Sequence, residues 1–279
     1  MILIADSGSS KTDWLLLKDN QPSGTIETPG INPYFRNTDE IVQKLSPCFP
    51  EETKSQVTDI YFYGAGCIKN ASDITVIQAL KSIFPLAKVE VEDDMLGAAR
   101  ALLGKQAGIA CIIGTGSNSC KYDGEKITDK VPTLGFILGD EGGGAYLGRI
   151  FLNNYFKRAI PPDLTSIIDE ELKLEMPKVL AAVYREEYPN RYLAGFSKFI
   201  TKNIGHPYFK ELVKSGFEAF ITNNVERYEN YRELPVNFVG SIAFHYKNIL
   251  LEVADERKIN TGKILHKPID GLMEYHLSK

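Results

Sequence analysis

The 279-residue chain has few cysteines, one tryptophan and no long apolar run. Cys48, Cys67, Cys111 and Cys120 are scattered without a CxxC spacing, which argues against a disulfide framework or a cysteine-built metal site. Buried thiols in a reducing cytosol are the expectation, so the protein is read as cytoplasmic. No stretch approaches the roughly 18 consecutive apolar residues that span a bilayer, and no basic segment followed by an apolar one opens the chain. Neither membrane insertion nor secretion is therefore expected. A formal net charge of −4 leaves no basic field for nucleic acid or anionic lipid. Two familiar nucleotide fingerprints are also missing: there is no GxxxxGK followed by Ser or Thr, and no GxGxxG opening a helix. With 43% hydrophobic and 24% charged residues the composition is that of a globular protein, and the length suits two domains.

What the chain does contain is one design used three times. An apolar strand, Leu3-Ile4-Ala5, runs into Asp6-Ser7-Gly8-Ser9-Ser10-Lys11. A second, Ala110-Cys111-Ile112-Ile113, ends in Gly114-Thr115-Gly116-Ser117. A third, Phe238-Val239, ends in Gly240-Ser241-Ile242-Ala243. Each turn brings bare N–H groups, and most bring hydroxyls, to the end of a buried strand, where they can surround an anion. Together they suggest a nucleotide site assembled from two halves.

Strand and helix signals alternate over the first hundred residues. Strands are expected at 2–5, 14–17, 25–27, 60–63 and 89–91, and helices at 39–45, 72–84 and 95–103. The second helix is read with Ile74, Ile77, Leu80 and Phe84 on its apolar face. After Gly104 the pattern restarts with a strand at 109–113 and a hairpin around Asp123-Gly124. From Gly144 to about Tyr231 the signal is helical, interrupted at Pro161-Pro162, Pro177, Pro189 and Pro207. A strand at 236–239, a helix at 244–256 and a short last helix at 268–275 complete the chain. The restart points to a duplicated α/β domain, with a first domain at 1–103 to which the segment 267–279 may return, and a second at 104–266 carrying a helical insertion at about 145–232.

Asp6 beside a polyphosphate would repel it unless a divalent cation lay between, so it is read as a partner of Mg²⁺ through water. Ser10 and Lys11 would contact the β- and γ-phosphates, with Ser7 and Gly8 in the same turn. An ordinary hairpin with Asp and Ser satisfying their own backbone is the competing account. Gly114, Thr115 and Gly116 form the second phosphate turn, or else a tight turn needing glycine for positive φ. Gly240, Ser241 and Ala243 would let a flat ring approach, or Ser241 would simply cap a helix. Of the acidic run Glu92-Asp93-Asp94, Asp94 is favoured as a general base, kept ionised by a helix start; a capping role is compatible with this. Asp140 and Glu141, among four glycines, suit hydrogen bonding to sugar hydroxyls. Asn32, Ala65 and Gly66 are further sugar candidates, although such residues also make ordinary loops.

These segments together resemble the BadF/BadG-type ATPases, and within them the N-acetylglucosamine kinases of the actin-like ATPase and sugar kinase superfamily. The family's DGGGTKT is similar to Asp6–Thr12, its SGTGS to Gly114–Ser117, its GDEGS to Gly139–Gly142 and its adenosine segment to Gly240–Ala243. The resemblance covers nearly the whole chain. It implies an α/β fold of two ribonuclease-H-like domains with a central cleft, the second enlarged by helices, closing over ATP–Mg²⁺ and an amino sugar. It further implies that Asp94 is the base for γ-phosphate transfer to the sugar 6-hydroxyl, and that Asn32, Thr115, Gly116, Asp140 and Asp94 line the sugar pocket. A homodimer follows by analogy. Two departures stand out: Thr133-Leu134-Gly135 replaces the usual Gly-Trp-Gly, and Ser7 and Ser9 replace glycines in the first turn. The alternative is an ATPase that activates a partner enzyme of the 2-hydroxyacyl-CoA dehydratase type. Such activators carry paired cysteines for an iron–sulfur cluster, a pattern not found here.

Overall fold

The computed structural model describes residues 1–8, 11–34 and 36–278. Ser10, read above as a phosphate contact, and its neighbour Ser9 lie outside the described residues. The chain divides into two compact units. The first comprises Met1–Gln106, the hairpin tip Asp123–Ile127 and the terminal stretch from Lys267; the second comprises Ala107–Tyr122 and Thr128–His266.

In the first unit, β1 (Ile2–Ser7), β2 (Lys11–Lys18) and β3 (Gln21–Pro29) form an antiparallel meander. β4 (Asp59–Gly64) and β5 (Lys88–Asp93) add in parallel on the other side of β1, giving the order β3-β2-β1-β4-β5. Alternation along the central strands sends side chains to two different cores. Leu3, Ala5, Ile60 and Phe62 enter one, with Trp14, Phe49 and Phe84. Ile4, Tyr61 and Tyr63 enter the other, where the helix Ile269–Leu277 supplies Ile269 and Leu272. That C-terminal helix lies against the helix Asp94–Leu103 so closely that a Cβ on Gly271 would stand 2.3 Å from the Ala101 carbonyl oxygen.

The second unit repeats the arrangement. β6 (Gly108–Ile113), β7 (Ser117–Tyr122) and β8 (Ile127–Asp129) are neighbours in that order, and β9 (Val236–Val239) and β10 (Thr261–Leu265) join in parallel beyond β6. The expected duplication is thus present as two mixed five-stranded sheets of the same strand order. The residues between β8 and β9 are largely helical. Pro162, Pro177, Pro189 and Pro207, read as interruptions, each sit in the first turn of a helix. There the missing N–H removes no intrahelical bond and the fixed φ suits the helix, so proline starts these helices rather than breaking them.

Two further expectations are corrected. The helix Asp73–Ile83 buries Val76, Ala79, Leu80 and Ile83, while Ile74 is 48% exposed. Leu80 and Phe84 are buried as expected and Ile77 packs against the same core, but Val76, Ala79 and Ile83 rather than Ile74 complete the buried face. The short helix Glu51–Gln56 was not foreseen; it buries no residue and so carries no apolar stripe to read.

Candidate active site

In both units the motif residues collect at the carboxyl ends of the parallel strands, which is where open α/β sheets bind ligands. In the first unit, β1 ends at Ser7, and the Gly8 N–H donates to the Lys11 carbonyl at 3.0 Å, closing the turn into β2. Ser7 itself faces inward. It is fully buried, its hydroxyl pairs with Thr12 Oγ1 at 2.7 Å, and it accepts from the Ile31 N–H at 3.2 Å. Its side chain therefore holds the turn to the 30–34 loop. The turn after β4 is tied to the same point, since the Ala65 N–H donates to the Ser7 carbonyl at 3.0 Å. Asn32 caps its own loop by accepting from the Tyr34 N–H at 3.0 Å. A Cβ on Gly66, whose φ is 79°, would stand 2.8 Å from Asn32 Oδ1. Asn32, Ala65 and Gly66 are thus neighbours beside the end of β1.

The acidic residues gather here too. Asp6 lies opposite Asp13 in the β1–β2 register, so their side chains share a sheet face. Asp94 is the first residue of the helix that follows β5. Burial, then the nearby charges of Asp94 and Asp13, push the Asp6 carboxyl up to about 7. The capping duty weighed for Asp94 belongs instead to Asp93, whose Oδ1 accepts from the Leu96 N–H at 2.6 Å. Among the described residues no three His, Cys, Asp or Glu side chains are grouped to hold a metal directly. A cation retaining its water shell suits the crowded, desolvated Asp6 carboxylate better than a bare ion caged by protein oxygens.

Lys11 has carboxylate partners of its own. Its ammonium lies 2.8 Å from Glu27 Oε2 and 3.4 Å from Asp13 Oδ1, and these partners hold its pKa above the usual lysine value. Two functional candidates were missed by sequence reasoning, Asp13 and Lys267, whose Nζ is 3.0 Å from Asp13 Oδ1. Asp13 carries a signal, because a β-strand places it across a two-strand hairpin from Asp6; Lys267 carries none.

In the second unit, three segments spread over more than a hundred residues of sequence interlock. The Gly114 N–H donates to the Gly116 carbonyl at 2.9 Å, forming the turn. The Gly144 and Ala145 N–H groups then donate to the Gly114 and Thr115 carbonyls, both at 2.8 Å. Asp140, at φ 56°, accepts from the Ser117 N–H at 3.2 Å, and a Cβ on Gly116 would stand 2.6 Å from Asp140 Oδ2. Burial raises the Asp140 carboxyl above its ordinary value against that hydrogen bond, with Glu141 adding to the rise. Glu141 Oε1 accepts from Asn223 Nδ2 at 2.9 Å. Gly240 completes the set: its φ is 123°, and a Cβ there would meet the Ile113 carbonyl oxygen at 2.4 Å. Gly240, not Ser241, occupies the cap position of the helix Ser241–His245; Ser241 is exposed and Ala243 is fully buried in the core. Ala243 therefore shapes the turn from behind. Gly135, at φ 70°, begins the short helix that leads to Gly139-Asp140, and Leu134 before it is 60% exposed.

No family model matches the chain, and no curated protein does. Solved structures do match. A Porphyromonas gingivalis protein described as a "Putative N-acetylglucosamine Kinase" is 44% identical, with 100% of this chain and 99% of that one covered and a TM-score of 0.95. A protein of the same description from Chromobacterium violaceum is 15% identical over 98% of each chain, with a TM-score of 0.74. A ROK family glucokinase from Streptomyces griseus, in complex with glucose and AMPPNP, is 12% identical over 98% of this chain and 97% of its own, at 0.56. The last two establish the fold alone, that of sugar kinases. Identity of 44% over the full length establishes more: this chain belongs to the family of the Porphyromonas gingivalis protein.

Proposed function

We propose that the protein is an ATP-dependent sugar kinase, of the BadF/BadG type, that transfers the γ-phosphate to the 6-hydroxyl of an amino sugar, with N-acetylglucosamine the leading substrate. The observation that carries this reading is the position of Asp94, which opens a helix at the end of β5 within electrostatic reach of Asp6, in a chain 44% identical to the Porphyromonas gingivalis protein. Phosphoryl transfer needs positioning and charge neutralisation more than covalent chemistry. In the first unit, Asp94 accepts the proton of the sugar hydroxyl as its oxygen attacks the γ-phosphorus and ADP leaves. Asp93, not Asp94, takes the helix cap by accepting from the Leu96 N–H. Asp6 would hold Mg²⁺ through water, and that ion would screen the polyphosphate's negative charge. Asn32, Ala65 and Gly66 are assigned to the sugar.

In the second unit, the Gly114–Gly116 turn is assigned to phosphate, Gly240 and Ser241 to adenosine, and Asp140, Glu141 and Gly135 to the sugar. Removing the proton acceptor, the Asp94 carboxylate, should cost about 10²–10⁴-fold in rate. The test is ADP release across a panel of hexoses and amino sugars, with Asp94→Asn beside the wild type. Sugar-dependent release that falls by that factor in Asp94→Asn is the expected result. Equal turnover with and without every sugar would instead support the partner-activating ATPase, and iron content of the purified protein would then decide the matter.

A further inference from the structure

Two ammonium groups converge on one carboxylate in the first unit. Asp13, opposite Asp6 across the β1–β2 pair, has a side chain 17% exposed and lies 3.4 Å from Lys11 Nζ and 3.0 Å from Lys267 Nζ. The two lysines differ in their other partners. Lys11 is drawn to Glu27 on β3 at 2.8 Å. Among the described residues, Lys267 pairs with Asp13 and with no second carboxylate. Its backbone is held by a packed element, since it stands two residues before the helix Ile269–Leu277, whose Gly271 abuts Ala101 and whose Leu272 is fully buried. Its side chain, 38% exposed, can still swing.

We propose that Lys267 is a phosphate-binding residue, a cation that Asp13 parks beside Asp6 and that contacts the polyphosphate of a bound nucleoside triphosphate. The inference rests on the kinase reading above and adds to it a residue outside every phosphate motif. Geometry supports it: Lys267 Nζ is 3.0 Å from the carboxylate of Asp13, which lies opposite Asp6 in the β1–β2 register. A lysine ammonium suits the task, being a compact point charge with three donors on a flexible stem.

A purely structural tether between the C-terminal helix and β2 is the competing account, and calorimetric titration without sugar separates the two. Mg·ATP and tripolyphosphate are the probes, and Lys267→Met and Lys267→Arg the variants. Lys267→Met should bind both probes about 10-fold to 100-fold more weakly, the range of one charge-assisted hydrogen bond, while Lys267→Arg stays within a few-fold and adenosine affinity is unchanged. Undiminished affinity for tripolyphosphate in Lys267→Met overturns the proposal, whatever its effect on melting temperature. Should that variant not fold, acetylation of wild-type lysines decides: tripolyphosphate should protect Lys267, and unchanged labelling counts against the role. Because binding is read without sugar, wild-type protein that binds ATP yet lacks sugar-dependent turnover would strike the kinase reading and leave this one standing.

Discussion

Asp6 illustrates how a single residue can be read from two directions. The sequence presents a carboxylate at the end of an apolar strand, and the fold adds burial, Asp94 and Asp13, all of which resist its ionisation. A carboxylic acid whose folded value is about 7, against an ordinary value of 3.8, binds a proton in the native state that the unfolded chain has already released. Stability from this group is complete below about pH 4 and is lost as pH rises toward 7. Asp6→Asn, which stays neutral, should therefore come nearest the wild type at pH 4 and below, and melt progressively higher than it as pH rises to 8, by several degrees, when no divalent cation is present. Thermal melts of both proteins across that range check it, and a difference independent of pH would contradict it. The neighbouring Asp93 and Asp94 could not be told apart from sequence. Both sit at a strand-to-helix junction, and only the hydrogen bond to Leu96 reveals which one caps.

At the scale of elements, strands and turns were legible because alternating apolar residues and glycine punctuation are local signals. Helix faces were less so: apolar residues lie on more than one side of the helix Asp73–Ile83, and Ile74 is exposed while Val76, Ala79, Leu80 and Ile83 are buried. The prolines of the helical region were seen at the right positions with the wrong meaning, because the same residue breaks a helix interior and begins a helix. Packing between helices was invisible. Gly271, in the middle of an apolar helix, looks like a weakness, and exchanging it for alanine would gain about 1 kcal/mol of helix propensity. In the folded unit, however, the new Cβ would stand 2.3 Å from a backbone oxygen, which cannot swing aside as a side chain can. Overpacking of this kind costs about 1–3 kcal/mol, so the clash should win and Gly271→Ala should lower stability. Denaturant unfolding measures the sign; a more stable variant would mean that the helix can slide off Ala101 without loss.

For the whole molecule, what the sequence conveyed best was repetition: two strand–glycine beginnings became two sheets of one strand order. What it could not convey was which distant residues meet. Asp13 and Lys267 are 254 positions apart, and Gly116 abuts Asp140, which accepts from the Ser117 N–H. The scattered cysteines join the local and global views. Cys67, Cys111 and Cys120 are buried, whereas Cys48 is half-exposed with its thiol toward the Lys44 carbonyl. Burial, followed by the charges of Asp94, Asp73 and Asp93, pushes the Cys67 thiol up to about 12, and burial raises Cys111 well above its ordinary value. The thiolate is the reactive form, so burial and a raised pKa protect Cys67 and Cys111, burial protects Cys120, and Cys48 is the accessible thiol. An aromatic disulfide reagent at pH 8 should titrate one thiol in the native protein and four in denaturant. A rapid second equivalent that peptide mapping assigns to Cys67 would locate an opening near Gly64–Cys67, beside Asn32 and Gly66, and would show that the loop assigned to the sugar is looser than its buried thiol implies.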